Sequence, residues 1–410
     1  MRLLNRTTLL ILAGSALTLA AQTAAPAPAP ATPRLSIYGI VDAYASSTYA
    51  GGLPGHSSVA SLDSGGYSAD RIGFLGSEDI GWGLRANIDL ENGFMEDSGG
   101  LADGPSATKG VLAPASGSTT TNTTSRLFNR QCWGGVSGSF GEFRFGRQNT
   151  ILQTQLGNTD PFNGATYASF FNNFSGYASR FDNVLMYKAP KFNGIALQFQ
   201  FAPGELSSNK TGLNLYVTSI EYTSGGLYLL YNYQMQKSAT AAFNVSSSFT
   251  AATYDFGKAK VYGAFYRGNN IGSSIGVVNG STAPINVAGG TAPQVASNFN
   301  ETPGTWYDGY SLTALYHVNS IVSLGGGYGW AKDMSRLTHN NVEEPSLIAT
   351  ADLSKKFMVY STWGRMANKN NAAFMLQAAG PIENKNTPAA GHSETGFQIG
   401  FRYLFGGALL

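Results

Sequence analysis

The groups that could do chemistry in this chain are few, and their types point to electric fields rather than to bond making. Four histidines, His56, His317, His339 and His392, are scattered over 410 residues. None sits in a recognisable nucleophile motif, and no cluster with metal-ligand spacing is visible. A single cysteine, Cys132, excludes an internal disulfide framework and a Cys-built zinc site. The chain therefore reads as a non-enzyme with no cofactor and no metal. What remains is charge: Arg71, Arg85, Arg130, Arg144, Arg147 and Arg180, with the acids Asp42, Asp89, Glu91, Asp160 and Asp182. Arginine keeps its proton even when crowded. Guanidiniums opposed by carboxylates across a narrow passage would create a transverse field that orients dipolar solutes and sets ion preference. Such a passage needs elements to build it.

Composition narrows what those elements are. Charged residues make up 12% of the chain, about half the usual share for a soluble domain, and the 51 glycines exceed ordinary usage. With 24 Phe, 21 Tyr and 5 Trp, a disordered chain would leave too much apolar surface in water. A formal charge of +2 gives no reason to expect a nucleic-acid partner.

Residues 1–21 carry Arg2 and Arg6, an apolar run from Leu9 to Leu19, and small residues at Ala20 and Ala21. This is the layout of a cleaved signal peptide, and the run falls short of the ~20 residues of a membrane helix. Its removal takes away two arginines and leaves equal numbers of bases and acids. Residues 22–34 form an Ala/Pro-rich segment, extended by its prolines and expected in the periplasm. No later stretch is apolar enough for a membrane helix, so an integral membrane role falls to β-strands.

From Leu35 on, the hydrophobic period is two. Leu84, Ala86, Ile88 and Leu90 alternate with Arg85, Asn87, Asp89 and Glu91; Phe397, Ile399, Phe401, Tyr403 and Phe405 alternate with Gln398, Gly400, Arg402 and Leu404. The pattern predicts strands at 35–44, 67–78, 83–94, 125–136, 141–149, 179–190, 193–203, 211–223, 226–237, 243–256, 259–268, 305–318, 320–332, 344–353, 355–366 and 392–405. Tight turns tend to alternate with long polar connections at 95–124, 150–178, 269–304 and 367–391. That sorting suits a transmembrane barrel with short turns on the periplasmic rim. Sixteen tilted strands enclose a lumen too wide for side chains to fill. Aromatics near strand ends, such as Tyr228, Tyr231, Tyr254 and Phe256, suit interfacial girdles. By alternation Arg71, Arg85, Glu91 and Arg144 face the lumen, because an Arg on the lipid face costs about 2 to 4 kcal/mol at mid-depth. Arg130 and Arg180 are ambiguous by the same test, Gln131 being read as outward beside Trp133.

Particular strings then become recognisable: SIYGIVDAYA (36–45), ADRIGFLGSEDIGWGLRANIDLENGF (69–94), SRLFNRQCWGGVSGSFGEFRFGRQNT (125–150), DPF (160–162), SRFDNVLMYKAPKFNGIALQFQF (179–201) and the closing FQIGFRYLF. With these the chain resembles the trimeric general-diffusion porins of Gram-negative outer membranes, in their β-proteobacterial branch. The resemblance implies an all-β fold, a 16-stranded antiparallel transmembrane barrel at 35–405, with a loop after the fifth strand, about 151–178, folded inward as a constriction. Residues 406–410 would be a C-terminal extension. It places Arg71, Arg130 and Arg180 at the family's arginine ladder, Glu91 at its wall acid and Asp160 on the inserted loop. Arg85, Asp89, Arg144, Arg147, Asp42 and Asp182 are further possible lumen charges. Leu75 stands where the family often has a base.

The function implied is passive diffusion of small hydrophilic solutes and ions through the outer membrane, with weak anion preference. The alternative is a solute-specific channel for sugars or organic anions. Tyr167, Phe170, Phe171, Phe174 and Tyr177 could then form a sugar track, although packing of the loop against the wall explains them more simply. The partners implied are two further copies in a homotrimer, outer-membrane lipid and lipopolysaccharide, and the barrel-assembly machinery.

Overall fold

Period-two strands carry one apolar and one polar face, and in a membrane their backbone groups are all satisfied only if the last strand meets the first. That closure is present. The computed structural model describes residues 34–52, 58–102, 127–174, 180–204, 214–237, 244–268, 306–334, 339–370, 372, 374–379 and 388–408. The expected signal peptide, the 22–34 segment up to Arg34 and most of the 95–124 and 269–304 connections lie outside the described residues.

The strands are β1 (Arg34–Ala50), β2 (Val59–Ser64), β3 (Arg71–Gly81), β4 (Leu84–Gly93), β5 (Gln131–Gly138), β6 (Gly141–Asn149), β7 (Arg180–Lys188), β8 (Ile195–Ala202) and β9 (Leu215–Ser224). They continue as β10 (Leu227–Lys237), β11 (Asn244–Asp255), β12 (Ala259–Gly268), β13 (Tyr307–His317), β14 (Val322–Asp333), β15 (Val342–Asp352), β16 (Phe357–Asn368) and β17 (Glu394–Ala408). Apart from β2 and β3, every neighbour in sequence pairs antiparallel, and β1 closes the sheet against β17. β2 and β3 share one position: β2 pairs with β1 at Ala43 to Thr48 and β3 with β1 at Arg34 to Ile40. The barrel is therefore sixteen strands wide.

The reading of the second strand as one run at 67–78 is corrected here. Residues 65–70 leave the ladder, and Asp42 of β1 is the cause. Its carboxylate accepts the backbone N–H groups of Gly66 (3.1 Å), Tyr67 (3.2 Å) and Ser68 (2.7 Å) and the hydroxyl of Tyr360 (2.6 Å). Backbone donors that would have bonded to a neighbouring strand are satisfied by one side chain. The C-terminus also differs from expectation: Gly406, Gly407 and Ala408 pair with Tyr38, Ile37 and Ser36, so the last strand runs on past Phe405 and 406–408 are barrel, not extension.

Face assignment follows the alternation. Ile88, Phe145, Leu185, Phe199, Leu312, Leu347, Phe397 and Ile399 are exposed on the outside, where lipid removes them from water. Gln131 and Trp133 pair with Glu91 and Asp89 and so face the lumen, the reverse of their sequence reading. Leu75, paired with Asp89, takes a lumen position.

Candidate functional site: the charged wall and the segments facing it

Four arginines gather on the wall of β3 to β7. Glu91 stands between two of them: Arg130 Nε lies 2.6 Å from its Oε1 and Arg71 Nη1 3.8 Å from its Oε2. Arg130 precedes β5, and its backbone N–H donates to Glu91 O at 3.1 Å. This settles the ambiguity in its alternation, since its direction is set by the turn and the ion pair. Tyr38 Oη lies 2.9 Å from both Asp89 Oδ1 and Glu91 Oε2. Arg180 opens β7 and interacts electrostatically with Glu91, Arg71, Arg130 and Arg147.

Arg147 falls on the Phe143 and Phe145 parity yet is 9% exposed. It donates to Asn129 O and to Asp182 Oδ1, both at 2.6 Å. The register slips between Gly146 and Gln148, with Gly146 at φ +131°, a conformation that suits glycine. The resulting bulge re-aims the arginine, as bulges do. Arg144 lies over the Trp133 ring at 4.0 Å and pairs with Glu142 at 2.9 Å. Arg85 donates to Ser77 Oγ at 3.0 Å, nearer the short-turn rim.

Residues 151–174 form α1 (Ile151–Gln155), a 3-10 turn at Leu156–Asn158 and α2 (Phe170–Phe174). Their bonds run to lumen-facing groups on several sides of the barrel. Ile151 N donates to Gln200 Oε1 (3.1 Å), and Gln155 Nε2 to Ser219 Oγ (2.7 Å) and Glu221 Oε1 (2.8 Å). Further along, Asn163 Nδ2 donates to Tyr67 O (3.0 Å) in the 65–70 interruption, Tyr167 N to Gln398 Oε1 (2.9 Å) and Asn173 Nδ2 to Glu344 Oε1 (2.9 Å). The interruption beside Asp42 thus presents a carbonyl to the loop.

Wall glycines make room for the aromatics of this segment. A methyl group at Gly309 would press on Phe174, at Gly329 on Phe170, at Gly364 on the carbonyl oxygen of Tyr167 and at Gly396 on the Tyr167 ring. Tyr167, Phe170, Phe171 and Phe174 are all buried, and Phe170 stacks on Phe174 at 5.1 Å. They anchor the segment. Tyr177 lies outside the described residues.

Asp160 is turned into its own loop, accepting from Phe162 N (2.9 Å), Gly164 N (2.9 Å) and Ser169 Oγ (2.6 Å). Burial pushes its carboxyl up, and those donors oppose the shift. Asp42, read as a possible lumen charge, is sealed under the 65–70 interruption.

Sequence reasoning missed a second internal segment. Phe374, Leu376, Gln377 and Ala378, between β16 and β17, are buried. Leu376 N donates to Glu394 Oε2 at 2.7 Å, and Phe374 lies 5.4 Å from Phe174. Missed too were the buried wall acids Glu344 and Glu394 and Arg402, which lies 5.0 Å from the Tyr67 ring. Arg402 was legible from its alternation with Phe401 and Tyr403. The internal segment carried no periodic signal.

With this geometry in view, comparison with known proteins is informative. A family model described as Gram-negative porin matches residues 13–371. Outer membrane porin protein 32 of Delftia acidovorans is 27% identical over 394 residues, covering 90% of this chain and 94% of that protein. An outer membrane porin protein of Bordetella pertussis (strain Tohama I) is 27% identical over 338 residues, covering 76% of this chain and 79% of that protein. Among solved structures, the anion-selective porin from Comamonas acidovorans superposes with a TM-score of 0.66 at 21% identity, over 91% of this chain and all of that one.

Proposed function

The chain belongs to the Gram-negative porins, outer-membrane channels and not enzymes, and from that premise we propose that it conducts small hydrophilic solutes and ions by passive diffusion, with weak anion preference. The constriction in this reading is formed by residues 151–174, joined by 374–378, and the open path runs along the wall of β3 to β7. The observation that carries it is the convergence of Arg71, Arg130 and Arg180 on the single carboxylate of Glu91.

The preference follows from charge balance along the path. Arg71, Arg130, Arg144, Arg147 and Arg180 are opposed by Asp89, Glu91, Glu142 and Asp182, while Asp160 is occupied by its own loop. Arg180 Nε is buried with no protein acceptor among the described residues, so the charge of this side chain acts on the path through its field. A ring of fixed charges selects by its excess sign, and here the excess is small. The Comamonas relative, described as anion-selective, supports the same direction.

The buried state of Tyr167, Phe170, Phe171 and Phe174 speaks against a sugar track, which needs exposed rings. Liposome swelling with sugars of graded size tests this. A smooth fall in rate with solute mass is expected; saturation by one sugar would overturn it. The reading carries with it a homotrimer, insertion by the barrel-assembly machinery and contact with outer-membrane lipid. Heat-resistant migration on gels reports the oligomer.

A further inference from the structure

The first turn of the 95–124 connection is fastened to the end of β2 and to the 65–70 interruption at two points. Residues 95–100 close on themselves, Gly99 N donating to Met95 O at 2.8 Å and Met95 N to Gly100 O at 2.9 Å. At one point Ser64 Oγ donates to Asp97 Oδ1 at 2.6 Å and accepts from Asp97 N at 3.3 Å. At the other, the carboxyl of Asp70 is in hydrogen-bond contact with the carboxyl of Glu96.

The second contact has an acceptor on both sides. Asp70 is 2% exposed, and its Oδ1 takes the backbone N–H of Asp42 at 2.5 Å. Asp70 Oδ2 and both carboxyl oxygens of Glu96 are buried and meet no N–H or O–H donor among the described residues. Neither carboxyl makes an ion pair among them. The charged and titratable groups around Asp70 are Glu96 from the turn, Asp42 from β1, Arg71 from β3 and Tyr360 from β16. Asp42 and Tyr360 are bonded to one another, and Arg71 turns to Ala69 O at 3.0 Å and to Glu91. Burial pushes the Asp70 carboxyl up, Glu96 adds to the shift and the amide of Asp42 opposes it. Two carboxylates in contact resist ionising together, and two are too few for a hard divalent cation, which takes about six to eight oxygens. A proton fits the gap.

We propose that Asp70 is held as the neutral acid and donates its carboxyl proton to Glu96, a positioning residue that seats the root of the 95–124 connection and keeps a negative charge away from Arg71. Two ionised carboxylates would push the turn off the interruption, and the added charge would reduce the excess of bases on the wall. The effect on selectivity rests on the charged-wall reading, whereas the proton itself is read without any conductance measurement.

Infrared difference spectra of the full-length protein in detergent, parent minus Asp70→Asn at neutral pH, are expected to show the carbonyl stretch of a protonated carboxyl. Asp70→Asn keeps an acceptor for Asp42 N and a donor for Glu96, so it should migrate on gels as the parent does and give the same reversal potential in a salt gradient. An ionised Asp70 would instead make this variant more anion-preferring than the parent. The folded protein holds the proton more tightly than the unfolded chain, so the contribution is full below the ordinary aspartate range and is lost as the pH rises. Between about pH 5 and about pH 9 the unfolding temperature of the parent should therefore fall more steeply than that of Asp70→Asn. Absence of the protonated band, a gain in anion preference in the variant, or parallel pH profiles would each overturn the proposal. So would calcium that raises the unfolding temperature of the parent and not of the variant. Cation preference in both proteins with the band present would overturn the wall reading and leave the proton in place.

Discussion

Asn173 and Gln377, 204 positions apart, hold one another inside the barrel: Gln377 N donates to Asn173 Oδ1 at 2.7 Å. Next to it, Asn172 Nδ2 donates to Gln377 O at 2.8 Å. Two connections from different parts of the chain, 151–174 and 374–378, are thereby joined by backbone-to-amide bonds in both directions. Each fixes the other. Several consequences can be measured.

Asn173→Ala removes the acceptor for Gln377 N and the donor to Glu344 together. Stranding buried polar groups costs about 1 to 3 kcal/mol each, while the barrel ladder is untouched. The expected outcome is noisier single-channel current at higher mean conductance, with heat-resistant migration on gels retained. Current as quiet as the parent's would count against the joint.

Gly364→Ala places a methyl group against the carbonyl oxygen of Tyr167, a backbone atom that cannot swing aside. The loop must move, so the size limit in liposome swelling should rise. Gly263→Ala has nothing within 4 Å of the added methyl and should leave the channel unchanged. Equal behaviour of the two variants would show that the wall glycines do not seat the loop.

Asp42→Ala strands the backbone donors of Gly66, Tyr67 and Ser68. At about 1 to 3 kcal/mol for each buried donor left unmade, this should be among the most damaging single changes in the barrel. A clear fall in the temperature at which the folded barrel band disappears from gels is the expected reading. Asp42→Asn keeps one acceptor oxygen and should fall less.

Much of this was legible beforehand, for a physical reason. Lipid on one side and water on the other impose alternation along β4 and β17, so face and strand can be read together. The readings failed where a side chain replaced the ladder. Asp42 captured the amides of 66–68 and broke the second strand, and no local pattern announces a carboxylate about 25 residues away. Arg147, named among the possible lumen charges, shares the parity of Phe143 and Phe145, and the bulge at Gly146 that re-aims it leaves no mark in the alternation. The 374–378 segment is held by Glu394, Asn172 and Asn173, contacts that exist only once the barrel has closed.

Glu91→Gln removes the carboxylate between Arg71 and Arg130. Breaking a buried pair from one side costs about 3 to 5 kcal/mol, so the variant should melt earlier. In those channels that fold, selectivity should move further towards anions. Movement towards cations would place Glu91 outside the ion path.

The most direct test of the charged wall is the reversal potential of single channels in a salt gradient across a planar bilayer, for the parent and for Arg71→Gln, Arg130→Gln, Arg180→Gln combined. The parent should show a small anion-preferring potential, and the triple variant should cross to cation preference, since Asp89, Glu91 and Asp182 then outnumber the bases they face. Clear cation preference in the parent, or a potential unmoved by the triple substitution, would contradict the role given to these arginines.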